Sequence, residues 1–214
     1  MTETRRTLDA LKPRELVELL DRLTIAEAAT MDIDVDVIGR AIDPKKLGRT
    51  GLSTLLRAFS RLTAEGADLA LSKLGADTFA KIITYASKDQ LQSIMVDPAL
   101  RAHVLDEVYR RMGTHLRQDR TSDLHAVVHW RLAGGAGEGG YDRYETLIEN
   151  GVCSVNRDMG GQPRATITVS PVDFLKLITN NASAPVLFMT GKLKVRGDLA
   201  FAAGLTSLFD LPRA

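Results

Sequence analysis

The sequence predicts an α+β protein in two parts. An all-helical domain occupies residues 1–118. A small, mostly antiparallel sheet covered by helices occupies residues 119–214. Two observations carry this reading. Apolar residues recur at three- and four-residue steps in the first part and alternate in the second. Of the 17 glycines, six lie in the first part and 11 in the second; of the 11 aromatics, four and seven. Gly-rich turns and aromatic residues favour hairpins and strands.

The first part reads as a succession of amphipathic helices. Pro13 opens one that carries Leu16, Val17, Leu19, Leu20 and Leu23. Thr24 and Glu27 have capping-box spacing for the next. Leu52, Leu55, Leu56, Phe59 and Leu62 mark another, followed by Phe79, Ile82 and Ile83. A Ser87–Gln90 capping box precedes Leu91, Ile94 and Met95. Asp97-Pro98 places an N-cap ahead of a proline at the first helical position. From it a helix of about five turns runs through Leu116. The polar stretch 114–122 reads as a linker.

The second part changes period. Leu124, Ala126, Val128, Trp130 and Leu132 share one face of a strand. The Gly-rich run 134–140 is a loop. Strands 141–149 and 152–158 are joined by Asn150-Gly151, a strong hairpin signal. A strand over 164–169 follows, and Ser170-Pro171 caps a helix carrying Phe174, Leu175, Leu177 and Ile178. Val186 to Met189 is a short apolar segment of undefined type. Residues 192–196 form a strand, and Asp198 caps a final helix through about Phe209.

Composition excludes several classes. The formal charge is +1, so a strongly basic nucleic-acid binder is not expected. The single cysteine leaves no intrachain disulfide and no cysteine-built zinc site, and suits a reducing, cytoplasmic compartment. Residues 1–15 lack the apolar core of a secretory signal, and no stretch approaches the roughly 20 apolar residues of a membrane span. Any membrane contact is expected to be transient and at the surface.

Chemistry-bearing motifs are sparse. The run 135–140 formally contains GxGxxG, but the next segment reads as a strand, not the helix a dinucleotide site needs. His125 and His129 are four apart on a strand, about 13 Å, too far for one ion. Cys153 reads as a small buried residue. Glu145 and Glu149 read as a solvated strand face. Arg110, Arg111, Arg117 and Arg120 read as a solvated helix end. No catalytic residue, metal ligand or cofactor site is identified.

The stretch 170–209, SPVDFLKLITNNASAPVLFMTGKLKVRGDLAFAAGLTSLF, resembles the sterol carrier protein type two family. The pattern is a strand, Asp173-Phe174, a helix, an apolar segment ending in Phe188-Met189, then Gly191-Lys192-Leu193-Lys194-Val195-Arg196-Gly197-Asp198 and a terminal helix. It extends more weakly back to about Leu124. The resemblance implies an apolar tunnel between sheet and helices that holds a sterol, fatty acid or fatty acyl chain. It implies non-enzymatic lipid binding and transfer, without a cofactor. Carried onto this chain, the tunnel candidates are Phe174, Leu175, Ile178, Val186, Phe188, Met189, Phe201, Leu205 and Phe209. The helical part lies outside the pattern and resembles N-terminal helical modules fused to such domains in actinobacterial proteins. Over the whole chain, 19 arginines against nine lysines fit a GC-rich bacterial genome. The alternative is an interaction protein whose helical half binds a partner and whose C-terminal domain dimerises.

Overall fold

A computed structural model describes residues 11–31 and 33–212. Residues 1–10, part of the stretch read for a signal, lie outside the described residues. The chain divides into two compact units between Val104 and Leu105.

The first unit is helical: α1 (Pro13–Arg22), α2 (Ile25–Thr30), α3 (Val35–Ala41), α4 (Gly51–Ala64), α5 (Ala76–Tyr85) and α6 (Lys88–Val96). The local capping chemistry is as the sequence predicts. Glu27 N–H donates to Thr24 Oγ1 at 3.3 Å, and Thr24 N–H donates to Glu27 Oε2 at 2.9 Å. Ser87 and Gln90 exchange the same pair of bonds ahead of α6. Leu16, Leu20, Leu55 and Leu62 are buried in this core. Gln90 is buried and donates from Nε2 to the Pro44 carbonyl at 2.8 Å. Arg61 caps the end of α1 by donating to the Asp21 and Leu23 carbonyls, each at 3.0 Å. A cation there also meets the negative end of the helix dipole.

Helix α7 (Pro98–Thr114) crosses the division. Asp97 Oδ1 accepts from Ala99 N–H at 3.1 Å and Leu100 N–H at 3.2 Å, the N-cap expected from Asp97-Pro98. A short helix α8 (Gln118–Thr121) then lies within the polar stretch 114–122.

The second unit adds β1 (His125–Ala133), β2 (Tyr141–Glu149), β3 (Val152–Asn156) and β4 (Ala165–Val169). Then come α9 (Pro171–Ile178), α10 (Ala184–Met189), β5 (Leu193–Gly197) and α11 (Leu199–Gly204). The undefined segment 186–189 is thus helical. The final helix is shorter than expected: it tightens at Leu205–Leu208 into a 3₁₀ turn, and Phe209 forms a bridge with Leu116. The sheet order is β3-β2-β1-β4-β5. Among the described residues, only β1 and β4 pair in parallel, and the other three pairings are antiparallel. Asn150 and Gly151 both take positive φ, 51° and 75°, which the two-residue turn between β2 and β3 requires. The Gly-rich run holds a single 3₁₀ turn, Glu138–Gly140, and leads straight into β2 instead of opening an α-helix, so GxGxxG here is loop chemistry.

Register assigns the two faces. Trp130 lies beside Tyr144 on one side and Ile167 on the other, and Ile167 lies beside Val195. These side chains share the face on which Phe174 of α9 packs. Arg131, Arg143, Thr168 and Lys194 share the opposite face.

Candidate functional site

The helix-covered face of the sheet does not fill completely. A partly open cavity of ≈ 250 Å³ remains between the sheet and its C-terminal helices. Strand alternation supplies its floor: Trp130, Ile167, Leu193 and Val195. Leu177 comes from the end of α9. Ala184, Pro185, Phe188 and Met189 of α10 form one wall. Leu199, Ala202, Ala203, Leu205 and Thr206 close the other side. Thr206 is the one side chain of this lining with a hydroxyl. Trp130 Nε1–H is already used, donating to Thr146 Oγ1 at 3.0 Å. The interior therefore offers dispersion contact and few polar partners.

Local features position the elements around this space. Ser170 caps α9, its Oγ accepting from Asp173 N–H at 3.0 Å. Asp198 caps α11, its Oδ1 accepting from Phe201 N–H at 2.8 Å. Gly197 links β5 to that cap at φ 93°, where any Cβ would collide with the Arg164 carbonyl oxygen. Small residues on the roof, Ala202 and Ala203, leave room that larger ones would fill.

Behind Trp130 stands an aromatic cluster. Tyr109 stacks on Tyr144 with centroids 3.9 Å apart, and Phe174 lies 5.2 Å from Tyr109 and 5.3 Å from Trp130. Tyr109 and Phe174 are fully buried. Burial raises both tyrosine phenols above their ordinary range, and Tyr144 is raised further by its hydrogen bond to Asp106. Beyond the cluster is a polar recess of ≈ 350 Å³ that includes Asp106, Arg110, Tyr144, Cys153 and Arg157. Tyr144 donates to Asp106 Oδ1 at 2.9 Å and accepts from Arg157 Nη2 at 3.0 Å. Burial pushes the Cys153 thiol up to about 11, so it stays protonated at neutral pH.

The nine tunnel candidates separate. Phe188, Met189 and Leu205 line the cavity. Phe174 and Leu175 are fully buried and lie outside its lining, as does Phe209. Ile178 is half-buried outside it. Val186 points to solvent from α10. Phe201 lies under the Arg164 guanidinium, 4.4 Å from its ring centre. The strand residues of the floor were not among the candidates. The alternation that placed Trp130 on a buried face, extended to Ile167, Leu193 and Val195, was the signal for them.

Other singled-out residues acquire partners. His129 and Glu145 form a buried pair at 3.0 Å, and Gly161 N–H donates to the same Glu145 oxygen at 2.8 Å. His125 and Glu149 pair at 3.0 Å on the exposed end. Arg110 and Arg111 both donate to Glu107. Among the described residues, no group of three His, Cys, Asp or Glu could hold a metal ion, and no helix is long and apolar enough to cross a membrane.

Residues 105–210 match the SCP-2 sterol transfer family. A hydroxysteroid dehydrogenase-like protein 2 from Bos taurus is 26% identical over 113 residues, covering 53% of this chain and 26% of that protein. The chain thus spans about a quarter of the length of the curated relatives it matches. Among solved structures, sterol carrier protein 2 like 2 from Aedes aegypti is 16% identical with a TM-score of 0.40, covering 51% of this chain and 95% of that one. A sec-alkylsulfatase from Pseudomonas sp. is 15% identical with a TM-score of 0.44, covering 97% of this chain and 34% of that one.

Proposed function

Because residues 105–210 form a domain of the SCP-2 sterol transfer family, we propose that this chain is a non-enzymatic carrier that holds one apolar lipid chain in the cavity beneath α10 and α11. The observation that carries the reading is the cavity itself, whose walls are almost wholly apolar. Such walls suit a saturated chain: each buried CH₂ contributes about 0.8 kcal/mol without any directional contact. Ligand pockets run from roughly 300 Å³ upward. A cavity of ≈ 250 Å³ therefore suits a single fatty acyl chain or a compact alicyclic body better than a two-chain lipid.

The mouth lies at α10. Phe188 and Met189 line the cavity and are also 43% and 83% exposed; Val186 is exposed two residues before Phe188, and Leu199 of the lining is exposed as well. Exposed apolar side chains at a cavity mouth support exchange of ligand there, through transient contact with a membrane surface. The helical half has no assigned part in this reading.

Displacement of a fluorescent fatty acid from the full chain tests it. Saturable displacement by an unlabelled fatty acid at one site is expected. Absence of any bound probe at micromolar protein would overturn the proposal.

A further inference from the structure

The face of the sheet opposite the cavity carries a second feature, independent of the lipid reading. Register lines up Arg143 of β2, Arg131 of β1, Thr168 of β4 and Lys194 of β5 in one row across four strands. Arg131 and Arg143 are directly opposite each other, an arrangement of like charges that disfavours the pairing. Among the described residues, four buried side-chain nitrogen or oxygen atoms lack a hydrogen-bond partner, and two of them are Arg131 Nε and Arg143 Nε. Leaving a buried donor of a charged group unmet is costly. Arg143 has one ion pair, its Nη1 donating to Glu138 Oε2 at 2.7 Å, but Glu138 is 84% exposed on the Gly-rich loop and easily displaced. Arg131 has no ion-pair partner among the described residues. Nearby Glu145 is already engaged by His129 and Gly161.

We propose that this row is an oxyanion site, in which a phosphoryl group is held between the Arg131 and Arg143 guanidiniums, with Lys194 and the Thr168 hydroxyl alongside. The anion would remove the like-charge conflict and accept from the guanidinium N–H groups that it can reach. Guanidinium forks match phosphoryl oxygens in planar, two-point geometry, which an ammonium cannot reproduce. The same chemistry reaches the site from a soluble phosphate ester or from a phospholipid headgroup.

The test titrates inorganic phosphate into the full chain at constant ionic strength, read by calorimetry and by thermal unfolding. A saturable stabilisation is expected. Arg131→Lys and Arg143→Lys keep charge and most of the side-chain bulk but lose the fork, and each weakens phosphate binding about tenfold or more. Arg110→Ala, in the recess on the other face, leaves it unchanged. Phosphatidic acid–phosphatidylcholine vesicles separate the sources. Co-sedimentation lost in Arg131→Lys points to a headgroup; phosphate binding without co-sedimentation points to a soluble ester. Either outcome supports the site. Binding to neither probe, or binding unchanged in both lysine variants, overturns it.

Discussion

Replacing Phe188 by Asp separates a cavity from a filled core. Phe188 lines the cavity yet is 43% exposed, so its ring does little for the unliganded fold. Surface substitutions of this kind cost about 0.5 kcal/mol or less. A lipid in the cavity would cover the ring and gain the contact that truncation removes, roughly 1.5–3 kcal/mol for a full aromatic side chain. Only the exposed 43% of the residue remains to be buried, which leaves about 1 kcal/mol of that contact. The carboxylate adds a second cost, since an acyl chain passing it strips water from a charge. Together these give about 2 kcal/mol or more, a loss of some thirtyfold in affinity. The assay is fluorescent fatty acid displacement on the full chain, with thermal unfolding measured in parallel. Arg110→Ala is the comparison, since Arg110 lies in the polar recess behind the aromatic cluster. Equal affinities for Phe188→Asp and wild type, or equal losses in both variants, would refute the placement of the ligand.

Three further outcomes follow from the same geometry. Burial opposes ionisation of Glu107, but its bonds from Arg110 and Arg111 outweigh that and hold its carboxyl below the usual range. Its contribution to stability is therefore present at neutral pH and is lost as pH falls through the carboxylate range; Glu107→Gln should cost about 1–3 kcal/mol at neutral pH and flatten the acid side of the stability curve. Cys153, buried with its thiol near 11, should resist iodoacetamide at neutral pH in the folded chain and react fully once denatured; rapid native labelling would contradict its burial. Gly197→Ala should lower stability by several kcal/mol, because positive φ and the clash with Arg164 act together, and chemical denaturation measures it.

Much of the fold was legible because the signals are local. Asp97, Ser170 and Asp198 each cap a helix through a side-chain oxygen a few atoms away, and Asn150-Gly151 sets its turn through its own φ angles. The cavity was legible only in part, because it is what packing leaves over. Phe174 has the character of a tunnel residue, yet its ring is occupied by Tyr109 and Trp130, and nothing near Phe174 in sequence announces those neighbours. Conversely Ile167, Leu193 and Val195 look like ordinary strand interior, and become cavity floor only because α11 presents Ala202 and Ala203 above them. The pairing of Arg131 with Arg143 likewise needs the β1–β2 register, which follows from where the Gly-rich loop turns.

Native mass spectrometry of the full chain after incubation with a saturated fatty acid tests lipid carriage most directly. The cavity predicts one bound fatty acid per chain in the wild type and a sharply reduced adduct in Phe188→Asp, with Arg110→Ala unchanged. Only the unliganded mass in the wild type, under conditions where the chain remains folded, would contradict it.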